Sequence, residues 1–348
     1  MIIDAYTQVG AIPMRRAPVD FPQLDREMGR AGVTHSVVIG LRGMHADARK
    51  GNTYVFAEAA CNSHIYPTAV IGPRIGLHDM PALIDNAVRQ KAVGLVFPVV
   101  PSMLSGSLPV RRTLEQAAVT GLPLIACGAI QSGSPTQLAE MTSGLGCKLL
   151  IAGASYYLID ELIAILEEFP HIYVDTSWQV SPGCIELLVE AGGASRILFG
   201  SGSPVRATRP ALNMVLDAEL SDAIKRNILA SNAIDFYELD LDVGKIQPLP
   251  EIEIPITSAI DVHNHLGTMP NMSATIRDAD AISQLALKAG MEYSVCSSYI
   301  GYYDDLDAGN REMLDAITAR PRLLGSPVVS PTHFENSIHW LNMFEKND

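Results

Sequence analysis

The sequence has little positive charge and no block of it: 25 Lys and Arg stand against 38 Asp and Glu, a net charge of −13. A surface that tracks phosphates needs the opposite balance, so no nucleic-acid partner is expected. Long apolar runs are also missing. A membrane span needs roughly 18 apolar residues, whereas the most apolar stretch, Ala92 to Pro101, is short and broken by Gly94 and Pro98. No membrane partner is expected either. Cysteine is scarce: Cys61, Cys127, Cys147, Cys184 and Cys296 are odd in number and form no CxxC pair. They read as reduced thiols, not as a disulfide frame or zinc knuckle. Asp4 stands where a signal peptide carries basic residues, so the expected location is the cytoplasm. What the chain does have is core. Its 48% hydrophobic and 18% charged content excludes disorder as the main state.

From Met1 to about residue 240 one pattern recurs: a short β-branched run, a turn, then an amphipathic segment. The strand candidates are Ile2–Tyr6, His35–Ile39, Tyr66–Ile71, Val93–Val99, Leu122–Cys127, Lys148–Gly153, His171–Asp175 and Arg196–Gly200. Between them lie helix candidates such as FPQLDREMGRAG, TYVFAEAACNSH and IDELIAILEEF. Alternating strands and helices imply parallel pairing through crossovers. Eight units without a GxGxxG turn after the first strand predict a (β/α)8 barrel of the TIM type, not an open doubly wound sheet. Ser231-Asn232 is the expected cap of a last helix, AIDFYEL, and residues 241–257 read as a Pro-rich linker.

After the linker the start of the chain returns. SAIDVHNHLG (258–267) parallels MIIDAYTQVG (1–10), and KAGMEYSVCS (288–297) parallels RAGVTHSVVI (30–39). Gly51–Pro73 lies without a gap on Gly309–Pro331, at 309 − 51 = 258. Residues 258–348 are therefore expected to be the front of a second copy, a partial βα repeat following the barrel. Three strands cannot close a barrel. So this segment packs on the first copy, pairs with another chain, or opens an interrupted second barrel.

His263 and His265 are two apart on a predicted strand, so both leave the same face at a strand's C-terminal end. That is metal-ligand geometry, with Zn, Mn or Fe as candidates. Cys127 reads as a buried small hydrophobe, and Trp178 and Trp340 as packing anchors.

IDVHNHLG (260–267), RILFGSGSP (196–204), GLPLIACGA (121–129), KLLIAGAS (148–155), HIYVDTS (171–177) and NAIDFYEL (232–239) together resemble a known family. It is the amidohydrolase-related branch of the metal-dependent hydrolase superfamily, the one related to aminocarboxymuconate-semialdehyde decarboxylase. The resemblance covers 1–240 as one whole domain and 258–348 as a front fragment. It implies a metal held by the HxH pair, by histidines in the fifth and sixth strands, and by an aspartate after the eighth. In the first copy those positions carry Tyr6, Gln8, Cys127, Gly153 and Gly202, so no metal is expected there. The first expectation is a non-catalytic or partner-dependent subunit. The alternative is a metal-dependent hydrolase or decarboxylase of a small organic acid, built on His263/His265 and completed by another chain. A third reading makes Tyr6, Gln8, Cys127, Gly153 and Gly202 a metal-free ligand pocket. A homo-oligomer and a partner chain that completes the second copy both stay open.

Overall fold

The computed structural model describes residues 1–11, 19–72, 79–100, 107–242, 250, 258–268 and 278–346. The chain divides into two compact units, Met1–Glu251 and Ile252–Asp348. Most of the expected Pro-rich linker, residues 243–249 and 251–257, lies outside the described residues. No helix among the described residues is long and apolar enough to cross a membrane.

Unit 1 is a barrel of eight parallel strands in sequential order. They are β1 (Ile3–Val9), β2 (His35–Gly40), β3 (Ile65–Val70), β4 (Gly94–Val99), β5 (Leu124–Gly128), β6 (Leu149–Ile151), β7 (Ile172–Asp175) and β8 (Ile197–Leu198). The barrel helices between them are α1 (Phe21–Ala31), α2 (Leu41–His45), α3 (Ala48–Ala59), α4 (Met80–Arg89), α5 (Leu108–Ala118), α6 (Ser134–Thr142), α7 (Ile159–Glu168) and α8 (Cys184–Gly192). Helices α9 (Thr208–Asp217), α10 (Asp222–Arg226) and α11 (Asn232–Tyr237) follow β8. Ring closure falls to the turn after the short β8: Ala5 N donates to Phe199 O at 2.8 Å, Gly202 N to Tyr6 O at 2.7 Å and Gln8 N to Ser203 O at 2.7 Å. The eight-stranded barrel expected from the alternation is thus the fold.

Two local expectations fail for identifiable reasons. Helix α3 starts at Ala48, five residues before TYVFAEAACNSH, because the Asp47 side chain caps it by accepting from Lys50 N. Ser231 is not a cap. It has helical angles and ends a π-helical turn, Asn227–Ser231, that runs straight into α11.

Unit 2 is a three-stranded parallel sheet in the order β11 (Leu323–Gly325), β10 (Met291–Ser298), β9 (Ala259–Leu266). Its helices are α12 (Ala279–Lys288), α13 (Tyr299–Tyr303), α14 (Leu306–Ala319) and α15 (Phe334–Glu345). Leu266, Ile282, Cys296, Met313, Leu323, Trp340 and Phe344 form its core. Trp340 is the anchor expected of it, with Nε1 donating to Asp307 Oδ1 at 2.6 Å.

The local construction of unit 2 matches that of unit 1 position by position. Buried Asn52 donates to Val70 O at 3.0 Å and accepts from Val70 N at 2.8 Å. Buried Asn310 does the same to Val328, at 2.8 and 2.7 Å. A Cβ on Gly51 would stand 2.3 Å from Gly43 N, and one on Gly309 would stand 2.1 Å from Gly301 N. Only glycine lets these helix pairs approach so closely. The caps match as well: Asp47 with Asp305 and Asp20 with Asp278, each accepting from a backbone N–H three residues on.

Each asparagine satisfies a buried carbonyl and a buried N–H at once, so its loss leaves both unpaired. Asn310→Ala is expected to destabilise unit 2 by about 2–3 kcal/mol, read by Trp340 fluorescence during denaturant unfolding. The transition of unit 1, read by Trp178, is expected to stay in place. Asn52→Ala is expected to give the reverse pattern.

Candidate functional site

Side chains two apart on β1 point into the barrel, which brings Asp4, Tyr6 and Gln8 to its interior. Asp4 is fully buried. Its Oδ1 accepts from Ser201 N at 3.0 Å and from Tyr6 N at 3.2 Å, and its Oδ2 accepts from the Ser201 hydroxyl. Burial raises its pKa to about 7, against the pull of the Ser201 hydrogen bonds, and the Asp175 charge adds to the rise. Asp175, at the end of β7, accepts from Gly153 N at 2.7 Å and from Ser177 N at 3.2 Å. Burial raises its pKa to about 6, while hydrogen bonds and the Arg206 guanidinium oppose that shift.

The Tyr6 ring occupies the centre. A Cβ on Gly153 would stand 3.3 Å from its Cε1 and its hydroxyl oxygen, and a Cβ on Gly202 would stand 3.7 Å from Cε1. The Tyr6 hydroxyl accepts from Gln8 Nε2 and is hydrogen-bonded to Cys127. Tyr6, Gln8, Cys127, Gly153 and Gly202, scattered over the sequence, therefore do converge, with the tyrosine ring filling the space between them. Burial pushes the Cys127 thiol up to about 12 and the Tyr6 phenol well above its usual value, so both are neutral near pH 7. The thiol packs 3.8 Å from Met44 Sδ, a buried small side chain as expected.

This donor set does not fit a divalent metal. Its thiol and phenol hold their protons, and its two carboxylates already accept backbone N–H groups. Two of its positions have no side chain, and the ring stands between the rest. No three His, Cys, Asp or Glu side chains come together as a metal-holding group among the described residues.

Three participants were not singled out from the sequence. Asp4 was visible as the acid of the Ile-Asp pair, and Asp175 as the acid of YVDTS. Arg206 gave no local signal: its guanidinium stacks 3.6 Å over the Trp178 ring, and its NH1 donates to Ser177 O at 2.8 Å. Trp178 is 41% exposed, which corrects its reading as a packing anchor; it is a platform for Arg206.

In unit 2, β9 sends Asp261, His263 and His265 to one face. The two Nε2 atoms stand 3.2 Å apart. His265 Nδ1 lies 3.0 Å from Ser297 Oγ, and its ring stacks on Tyr299 with centroids 4.4 Å apart. With Nδ1–H given to the serine, Nε2 carries the lone pair on the side that faces His263 Nε2. Nitrogens about 2.0–2.1 Å from a tetrahedral zinc lie about 3.3–3.4 Å from each other. The pair fits half of such a site, and without a cation one ring can donate to the other across the same gap.

The unfolded carboxyls titrate near 3.8 and the folded ones at about 7 and about 6. The folded state thus binds the protons more tightly. The associated stability is full below about pH 4 and is lost as pH rises through 6 to 7. The unfolding midpoint of unit 1, followed by Trp178 fluorescence in a Trp340→Phe background, is expected to fall between pH 4 and pH 8. Asp4→Asn is expected to flatten that slope.

A sequence profile of the amidohydrolase family matches residues 8–239, two thirds of the chain. A search of curated proteins finds no match. Among solved structures, the 5-carboxyvanillate decarboxylase from Sphingomonas paucimobilis superposes with a TM-score of 0.56 at 15% identity, covering 68% of this chain and 99% of that one. An amidohydrolase from Burkholderia multivorans gives 0.57 at 14% identity, over 69% and 99%. A dihydroxybenzoic acid decarboxylase from Polaromonas with bound manganese gives 0.54 at 14%, over 69% and 98%. At such identities the superpositions speak for the barrel alone, and the profile match carries the assignment: the chain belongs to the amidohydrolase family.

Proposed function

We propose that this chain is a partner-dependent subunit of a metal-dependent hydrolase or decarboxylase that acts on a small organic acid. The observation that carries this reading is the His263/His265 pair, with both Nε2 atoms converging at 3.2 Å and Ser297 positioned to fix the His265 tautomer. Residues 258–348 are, on this reading, the front of a second family copy after the barrel of 1–240 and the linker of 241–257. The matched Asn52/Asn310 and Gly51/Gly309 contacts at a spacing of 258 support the duplication.

His263 and His265 would hold the metal, whose contribution when bound is Lewis acidity toward a substrate carbonyl or carboxylate. Ser297 orients His265, and Tyr299 fixes its plane by stacking. Two ligands fall short of the usual three protein ligands, so the remaining ones come from another polypeptide or from sequence beyond residue 348. The substrate class rests on similar proteins: a 5-carboxyvanillate decarboxylase, a 2,6-dihydroxybenzoate decarboxylase and a putative 2-pyrone-4,6-dicarboxylic acid hydrolase are all named for small carboxylic acids. Unit 1, its centre filled by Tyr6, is in this reading a metal-free body. The five free thiols support a cytoplasmic location.

Elemental mass spectrometry of the complex, purified from its source without chelator, is expected to find zinc, manganese or iron near one per chain. His263→Ala/His265→Ala is expected to lose it. Unchanged metal content in the variant, or none in the native complex, would overturn the reading.

A further inference from the structure

Over the tyrosine core of unit 1 stands a half-buried arginine that pairs with no carboxylate among the described residues. Arg206 lies in the segment between β8 and α9. A Cβ on Gly202 would stand 3.7 Å from Arg206 Cδ and equally 3.7 Å from Tyr6 Cε1. The arginine stem is thus one residue's width from the Tyr6 ring, at the C-terminal ends of the strands. In a parallel barrel that end is the mouth at which ligands meet the fold.

Two contacts fix the head group. The guanidinium stacks 3.6 Å over the Trp178 ring, and NH1 donates to Ser177 O at 2.8 Å. Asp175 acts on it through its field, but gives its oxygens to Gly153 N and Ser177 N at 2.7 and 3.2 Å. Among the described residues Nε and NH2 of Arg206 donate to nothing. Arg30, Arg49, Arg226 and Arg320, by contrast, each meet a carboxylate 2.7 to 3.5 Å away. Half-burying a cation without such a partner costs free energy, and so does fixing a long side chain in one orientation.

The same two segments hold buried polar atoms without partners. Gln179 Oε1, Ser203 Oγ and Thr208 Oγ1 are of this kind, each within three residues of Trp178 or Arg206 in the chain. Unpaired buried groups are uncommon, and they gather where a fold serves binding instead of its own stability. Beside them the surface is apolar. Trp178 and Val180 are each 41% exposed and Tyr157 is 50% exposed. Tyr156 N donates to Trp178 O at 3.2 Å and ties the two aromatic segments together.

We propose that the mouth of unit 1 binds a small monocarboxylic acid, with its carboxylate on the Nε/NH2 edge of Arg206 and its apolar body beside Trp178 and Val180. The planar fork of an arginine offers a carboxylate two parallel N–H donors. One guanidinium matches one negative charge, and among the described residues Trp178 carries one cation. Tyr6 fills the interior, so the acid lies over the ring and not among Gln8 and Cys127. The site needs no metal and does not rest on the functional reading of residues 258–348.

The test is a titration of the full chain in a Trp340→Phe background, with chelator present, followed by Trp178 fluorescence and calorimetry. Benzoate is the probe, benzamide its neutral counterpart and inorganic phosphate the competing anion. Benzoate is expected to saturate with a Kd of about 1 mM or tighter. Benzamide and phosphate are expected to bind at least tenfold more weakly. Arg206→Gln and Arg206→Lys are each expected to weaken benzoate at least tenfold and leave circular dichroism unchanged, because the lysine keeps the charge and loses the fork. The proposal is overturned by benzoate that fails to saturate in that range, by benzamide or phosphate within tenfold of it, or by a smaller loss in either folded variant. The benzamide comparison uses the native arginine, so it decides the matter even where a variant misfolds. The chelator keeps a metal at His263/His265 from supplying the binding, so failure here and failure of the functional reading are separate results.

Discussion

A parallel barrel has to bring its first and last strands together, and here the last strand is two residues long. Ladder hydrogen bonds alone give such a strand little hold. The closure depends on Asp4, which binds its own strand through Tyr6 N and the far turn through Ser201 N and Oγ. A carboxylate in this position is desolvated, so its proton is held to about pH 7. The hydrogen bonds that lock the ring are therefore made by a group that burial itself penalises when charged. Packing around it keeps water out and makes those few donors strong.

The clasp also sets what the barrel interior can contain. By drawing residues 199–203 onto β1, it brings Gly200 and Gly202 under the Tyr6 side chain. A Cβ on Gly200 would lie 2.4 Å from Asp175 Oδ2. So the absence of side chains at 200, 202 and 153 is the space that Tyr6 and Asp175 fill. A histidine at 153 alone would press on the ring, whose Cε1 and hydroxyl oxygen would stand 3.3 Å from its Cβ. The interior is a packed tyrosine core with neutral thiol and phenol, and the Arg206 charge acts on it only through its field at Asp175.

Much of this was legible from the sequence, because barrel strands are short β-branched runs punctuated by turn residues. The strand candidates overlap all eight observed strands, and the positions of Tyr6, Gln8, Cys127, Gly153 and Gly202 were readable as one interior set through their order in the family motifs. What escaped was either masked by local composition or set by distant chain. Arg49, Lys50 and Gly51 hid the start of α3, although Asp47 was a standard cap. The π-helical turn arises from the fit of 227–231 against β1 and β8, which no periodicity records. Arg206 lies over Trp178 from 28 residues away, and only the fold brings its charge near enough to act on Asp175. That His263 and His265 leave one face of β9 was legible from strand alternation, whereas their Nε2 approach needed the rotamers and the Ser297 contact needed the β9–β10 register that puts it opposite His265.

Unit 2 separates two kinds of information that are usually mixed. Everything that depends on neighbours close in the fold is present in it: the Asn310 clamp, the Gly309 approach to Gly301, the aspartate caps and the Asp261 bond to its own strand. Among the described residues of unit 2, the contacts that unit 1 makes through its later strands have no counterpart, and Ile260 and Val262 on β9 are 53% and 73% exposed. A sheet that merely ended at β9 and β11 would be better served by charged or polar residues on those edges, which guard against unwanted pairing. Ile260, Val262, Ile338 and Leu341 are the residues a buried edge requires, and burying each is worth on the order of 1.5–3 kcal/mol. Their apolar character at positions that are open in this unit ties its local code to the geometry of a closed barrel.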